Sequence, residues 1–404
     1  MQKVVIEKPY RFIPPHRGTW WPWWIQRLRL VDFYLRRYAG VVQHEVRHAE
    51  RLQKSLDAGH GILLTPNHSR PDDPVVLAFL ARVCHTPMYA MASWHLFHQS
   101  AFTAWAIRKM GAFSLYREGL DKQALQTAVD IIVQAERPLV LFPEGAVTRT
   151  NDRLQAMLEG VAFIARTAAR KAAQATPPRD VVIHPVAIKY LFQGDLNRAL
   201  GPVLTEIEQR LSWHPRQTEP LMERIRGVGF ALLALKELEY FGQPQPGTLP
   251  ERLQGLVNRL LQPLETRWLG SPREGAVVPR VKELRTKILP DLINGSITEQ
   301  DRAERWRHLA DIYLAQQVAS YPPDYLTDQP STDRLLETVE RYEEDLTDKL
   351  RVHGNLKAVI EVGEPIQVPK ERERRSDSDP IMNQLAVQLQ SMLDQLARES
   401  RPWP

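Results

Sequence analysis

Cysteine is almost missing from this chain: Cys84 stands alone among 404 residues. One thiol excludes an intrachain disulfide framework and any metal site built on several thiolates. Long hydrophobic runs are missing too. No stretch of eighteen or more apolar residues is free of charge, which argues against a membrane-spanning helix. The N-terminus has no apolar core behind its first charges, so it does not read as a secretory signal. A strong excess of one charge is also lacking. The balance is 53 basic against 48 acidic side chains, a net +5, which suits an anionic membrane surface or an acidic substrate and does not demand nucleic acid. These absences point to a cytoplasmic protein and leave attachment to one membrane face open.

What remains is the composition of a folded protein, 43% apolar and 25% charged, long enough for one large domain or two ordinary ones. The stretch around which the chain is organised is Leu63 to Pro74, LLTPNHSRPDDP. An apolar run ends at Pro66, a polar loop follows, and a second apolar run starts after Pro74. This predicts a strand, a tight loop and a buried helix. Pro66 cannot donate to a ladder, and Pro74 suits a first helical turn, which puts Asp73 at the N-cap. A loop fixed between two buried elements is a good place to hold His68 beside Asp73. The plainer alternative is that Asp73 only caps the helix and His68 only fills the loop.

Asn67-His68, four residues and then Asp73 resemble the His-x4-Asp motif of the glycerolipid acyltransferases, which acylate glycerol-phosphate and lysophospholipids. Three further blocks stand in the family's order. They are GAFSLYR from Gly111 to Arg117, FPEG from Phe142 to Gly145, and the strand VVIHPVAIKY with Pro185. The resemblance covers roughly 60–190, with a return near 356–368 in a GEPI-like segment. It implies an α/β fold with a mixed sheet flanked by helices. It also implies a role for each matching residue: Arg117 binds the acceptor phosphate, Glu144 binds the acceptor, and Pro185 lies beside the acyl-donor site. Arg suits a phosphate because its planar fork meets two oxygens at once. Gly145 permits a positive φ or close backbone approach. After that glycine the pattern departs from the family's, reading Ala146, Val147, Thr148, Arg149, so that Arg149 is a candidate phosphate contact from a longer turn. Arg70 departs as well, and offers a second anion contact.

Four divisions follow. Residues 1–40 form a Pro- and Trp-rich arm with an amphipathic helix, in which Trp20, Trp21, Trp23 and Trp24 stand near several arginines, as at a membrane interface. Residues 41–195 form the α/β core, with 41–58 read as a polar helix. Residues 196–350 change to helical periodicity, six helices without a clean internal repeat, and read as an all-helical insertion. Residues 351–404 return to strand character and close with a helix over 379–397. Pro185, inside an apolar strand, argues for an edge or a bulge. His44 and His48 lack the acidic partner of a metalloprotease motif, and His95 and His98 read as ordinary surface or groove residues, so no metal is expected.

The expected chemistry is direct acyl transfer. His68 takes a proton from an acceptor hydroxyl, Asp73 orients the imidazole, and the alkoxide attacks a thioester. Asn67 is a candidate oxyanion or loop support. No cofactor is implied. By resemblance the donor is acyl-CoA or acyl-carrier protein, and the acceptor carries phosphate. A hydrolase using the same pair and a non-catalytic membrane-associated lipid-binding scaffold are the rival readings.

Overall fold

The computed structural model describes residues 8–211, 214–295, 297–326, 329–370 and 379–404. The charged run KERERRSDSD, 370–379, lies almost wholly outside them. Two compact units divide the chain: Tyr10–Leu191 with Leu356–Glu399, and Phe192–Asn355 with Ser400–Pro404.

The first unit starts with α1 (Trp20–Arg27), α2 (Leu30–Tyr38), β1 (Val41–Arg47), α3 (Ala49–Asp57), β2 (Gly61–Pro66), α4 (Asp73–Val83) and β3 (Tyr89–Ser93). It continues with α5 (Ala101–Lys109), β4 (Ala112–Leu115), α6 (Lys122–Gln134), β5 (Leu139–Val140), α7 (Gly160–Ala172) and β6 (Val181–Gln193). The second holds α8 (Leu196–Arg210), α9 (Leu221–Phe241), α10 (Leu249–Leu269), α11 (Val277–Asn294), α12 (Glu299–Ala319) and α13 (Thr332–Thr347). The chain then returns through β7 (Asn355–Val362), β8 (Ile366–Gln367) and α14 (Pro380–Ala397).

The sheet runs β1-β7-β6-β2-β5-β3-β4, and β8 pairs antiparallel with β6. From β6 to β4 every pairing is parallel, so those strands share one carboxyl-terminal edge. It is a mixed sheet flanked by helices, as the resemblance implies, with a helical insertion and N-terminal helices. Strand β2 is buried throughout, which is why GILLTP shows no alternation: central parallel strands are covered on both faces. Ile131, Ile132, Ile164, Ala165 and Ala168 of α6 and α7 pack with Leu63 and Ile183 of the sheet in one cluster. Leu389 and Leu393 of α14 join Ala187 and Val359 in another.

Two expectations are corrected. Residues 41–47 form β1, paired in parallel with β7, not the start of a helix. Their polar letters belong to an edge strand, where Glu45 forms ion pairs with Arg47 and Lys357, and strand pairing overrides helical propensity. The Ala- and Leu-rich run from Arg153 to Ala175, a helical pattern in the sequence, becomes helix only from Gly160, because Gln155 and Leu154 give their N–H groups to the side chains of Glu144 and Gln390. Pro185 is interior, and stands opposite the Gly363–Pro365 break between β7 and β8, where Gly363 donates its N–H to the proline carbonyl at 2.8 Å.

The helical unit contains a repeat that its sequence hides. Helices α9, α10 and α11 start at residues 221, 249 and 277, a spacing of 28. In the fourth place of each stands Arg224, Arg252 or Arg280. Each meets a buried glutamate of the preceding helix, Glu208, Glu237 or Glu265, at 2.9, 2.7 and 2.7 Å. Each glutamate also accepts the N–H of the residue eight places on, Arg216, Gln245 and Arg273. At that step only Arg224, Arg252 and Arg280 and Leu233, Leu261 and Leu289 recur in all three helices, while matches such as Gly227 with Gly255 and Glu237 with Glu265 join the first two alone. Among the described residues no helix is long and apolar enough to cross a membrane.

Candidate active site

Ligands of parallel sheets collect at the carboxyl ends of the strands, and the residues of interest here lie at those ends. Beyond Pro66 the loop is clamped from both sides. Asn67, buried, accepts the N–H of Ile188 at 2.7 Å and donates its amide to the same residue's carbonyl at 3.0 Å. His68 donates its N–H to Glu144 Oε1 at 2.7 Å. Its carbonyl accepts the N–H of Thr148 at 2.8 Å and the Thr148 hydroxyl at 3.1 Å. With its backbone held on both sides, His68 has little freedom beyond its side-chain torsions.

The imidazole makes an angle of 31° with the Phe142 ring, the centroids 4.1 Å apart, and its Nδ1 lies 3.0 Å from Asp73 Oδ2. Asp73 is fully buried. It is the first residue of α4, with Asp72 at the N-cap, one place later than the sequence suggested. The positive end of α4 favours a carboxylate there. Its Oδ2 also accepts the N–H of Arg70 at 2.9 Å, and its Oδ1 accepts the Tyr190 hydroxyl at 2.6 Å. A carboxylate in that place requires the proton on Nδ1, and so leaves the lone pair on Nε2. The His68 side chain retains 15% exposure.

Glu144 is also buried, and both its oxygens are occupied: Oε1 by the N–H of His68, Oε2 by the N–H of Gln155 at 2.8 Å. Burial, opposed by these two donors, pushes its carboxyl up to about 7. This geometry makes Glu144 a staple between the His68 loop and the chain after Gly145. The glycine has φ +68, and a Cβ there would lie 2.5 Å from Leu158 Cδ1.

The arginines are spread out. Arg70 is buried with its guanidinium 5.2 Å from the Tyr190 ring centroid. Arg149, in the left-handed region at φ 59, follows the threonine bound to His68. Both bear electrostatically on Asp72, whose carboxyl is pushed up by burial, while the Tyr34 hydroxyl donated to it pulls the other way. Arg117 is half-buried in the turn after β4. That strand is three spacings from β2, or about 14 Å, so the Arg117 backbone stands farther along the same edge. Pro185 is one strand from the loop, in register with Thr65. Cys84 is buried, which pushes its thiol up to about 11.

The sequence reading gave no role to Tyr190 or Asn151; Thr148, read with Arg149 as part of a longer turn, is bound to the His68 carbonyl. Asn151 clamps Tyr190 as Asn67 clamps Ile188, accepting its N–H at 2.6 Å and donating to its carbonyl at 2.9 Å. The available signal was in β6, where His184, Lys189 and Tyr190 interrupt an apolar strand; all three are buried. His184 is a joint, its Nε2 2.9 Å from Ser55 Oγ and its Nδ1 3.0 Å from the Gly363 carbonyl.

A histidine held by a buried aspartate at the carboxyl edge of a parallel sheet is an arrangement that supports an acyl-transfer reaction. Residues 43–189 match the family model described as Acyltransferase, and together with the His68–Asp73 spacing this supports an assignment of that stretch to the glycerolipid-acyltransferase type. A relative is the 1-acyl-sn-glycerol-3-phosphate acyltransferase of Streptococcus pneumoniae, 29% identical over 121 residues. That alignment takes in 30% of this chain and 43% of the relative.

Proposed function

We propose that the protein transfers a fatty acyl group from acyl-CoA or acyl-carrier protein to the hydroxyl of a glycerol-phosphate or lysophospholipid-like acceptor. The observation that carries this reading is the 3.0 Å contact of His68 Nδ1 with the buried Asp73, which leaves Nε2 as the base. In the reaction Nε2 takes the acceptor's hydroxyl proton as the oxygen attacks the thioester carbonyl. The tetrahedral intermediate collapses, the C–S bond breaks, and the imidazolium returns the proton to the leaving thiolate. Asp73 stabilises the imidazolium while it exists. Arg149 and Arg70 supply positive charge beside the loop for a phosphate, and Arg117 supplies it farther along the edge. The name of the pneumococcal relative agrees with a phosphate-bearing acceptor.

The substrates enter from an anionic membrane face in this reading. Trp20, Trp23, Phe33 and Tyr38 of α1 and α2 are exposed, as are Phe102 and Trp105 of α5. Val31 and Leu35 of α2 are buried. The helices are anchored to α4 by the Gln26 amide on the Ala78 carbonyl and by the Arg82–Asp32 pair. Exposed tryptophans with nearby arginines favour the interfacial zone of a bilayer.

The test is an acyl-transfer panel. Long-chain acyl-CoA and acyl-carrier protein are offered with glycerol 3-phosphate, lysophosphatidate and neutral glycerides, with free fatty acid and acylated product measured separately. Acylated phosphate-bearing acceptor is the expected product. Release of free acid alone would replace this reading with a hydrolase. Flotation with anionic vesicles, compared between wild type and Trp20→Ala/Trp23→Ala, tests the membrane face.

A further inference from the structure

We propose that Tyr190 completes the His68–Asp73 pair as a positioning residue: its phenol fixes the Asp73 carboxylate, and through it the tautomer and aim of the imidazole. The proposal rests on the acyl-transfer reading above. Its ground is the way the carboxylate's acceptor capacity is used. Oδ2 receives the imidazole and the Arg70 N–H, while Oδ1 receives the Tyr190 hydroxyl at 2.6 Å. Replacing the phenol by an apolar ring would remove that donor from a fully buried anionic oxygen, and the carboxylate would turn to recover a donor. Any turn about its Cβ–Cγ bond moves Oδ2 away from the imidazole.

Tyr190 is itself well held. Asn151 clamps its backbone on both groups, and Arg70 covers its ring at 5.2 Å. Two residues before it, Ile188 holds Asn67. Strand β6 therefore fixes both the loop that carries His68 and the carboxylate that aims it. Burial and the neighbouring Asp73 charge keep the phenol protonated. The other charged groups bearing on this cluster are Asp72, Arg70, Arg149 and Glu144. When the imidazole accepts the acceptor's proton at Nε2, the phenolic donor holds the Asp73 carboxylate in place against it. The phenol retains its own proton throughout, and the transferred one stays on His68 for return to the thiolate.

The experiment uses the full chain as wild type, as Tyr190→Phe, and with 3,5-difluorotyrosine placed at 190. Nitrogen-15 NMR of the His68 ring reads the tautomer, and proton NMR reads the hydrogen-bonded Nδ1–H. Wild type is expected to show the Nδ1–H form with a downfield proton. Tyr190→Phe is expected to lose that proton signal to exchange and to lower kcat about ten- to a hundred-fold with KM little changed. The fluorinated phenol, a stronger donor of similar shape, is expected to keep kcat within a few-fold of wild type and to shift the Nδ1–H resonance. A folded Tyr190→Phe with the wild-type resonance and kcat would reduce Tyr190 to a core side chain. If that variant does not fold, an unmoved resonance in the fluorinated protein overturns the proposal equally. The ring measurements need no substrate, so a wild type that acylates nothing in the panel would sink the functional reading and leave this test standing.

Discussion

The two units bury carboxylates for different ends. In the helical unit Glu208, Glu237 and Glu265 each face an arginine fork across a helix junction. In the sheet unit Asp73 receives an imidazole, a backbone N–H and a phenol, and Glu144 receives two backbone N–H groups. A guanidinium fork neutralises a carboxylate in place and makes a joint. Around Asp73 the uncharged donors hold the carboxylate toward the imidazole, whereas Glu144, held by two backbone N–H groups, is pushed up to about 7 by burial. Forked pairs are joints in the sheet unit as well, where Arg166 meets Asp379 at 2.7 Å.

The largest expected effect falls on the chemistry. His68→Ala is expected to cut acyl-transfer kcat by about 10³-fold while its thermal unfolding follows wild type. Activity within ten-fold of wild type would erase the distinction. On the architectural side, Glu265→Ala strands the buried Arg280 and is expected to cost about 3–5 kcal/mol of stability in chemical denaturation. Activity per folded molecule should hold. A cost under about 1 kcal/mol would show that the junction pairs are not what joins the helices.

Glu144 sharpens the comparison through pH. Its folded carboxyl lies near 7, above the ordinary 4.5, and burial is the first cause. Its contribution to stability is fully present below the unfolded value and is lost as pH rises through the folded one. Between those limits the unfolded chain releases a proton that the folded chain keeps. Wild type should therefore lose stability relative to Glu144→Gln across that window, by on the order of 3 kcal/mol. A difference that stays flat with pH would mean that the two N–H donors win over burial. The smallest effect contrasts two glycines. Gly145→Ala forces a side chain into a left-handed turn against Leu158 and should cost about 1–2 kcal/mol. Gly255→Ala, with open space around it inside α10, should add about 0.5–1 kcal/mol. Melting curves of both variants check the signs.

Much of the sheet unit was legible in the sequence because its signals are local. Pro66 and Pro74 bracket the loop, and FPEG ends a strand, so the His68 and Glu144 turns could be read directly. The parts that escaped depend on pairing across the chain. VVQHEVR looks like a polar helix until β7 lies beside it, 314 or more residues away in register. Tyr190 acts on Asp73 across 117 residues, and no spacing rule links them. Glu144 reads as a ligand-facing acid, but its oxygens are spent on amides of two loops that meet only in the fold. The six helices of the insertion were legible from periodicity. Their 28-residue spacing was not, since only Arg224, Arg252 and Arg280 and Leu233, Leu261 and Leu289 keep it through all three helices.

That spacing has a consequence for how the protein varies. Each junction carries its own lock, supplied half by the helix before and half by the helix after. A copying event that inserts or removes one whole period leaves every lock with a matching half, whereas a cut inside a period orphans a buried ion. Close relatives of different length should therefore differ here by complete turns of the motif, with the catalytic loops unaltered.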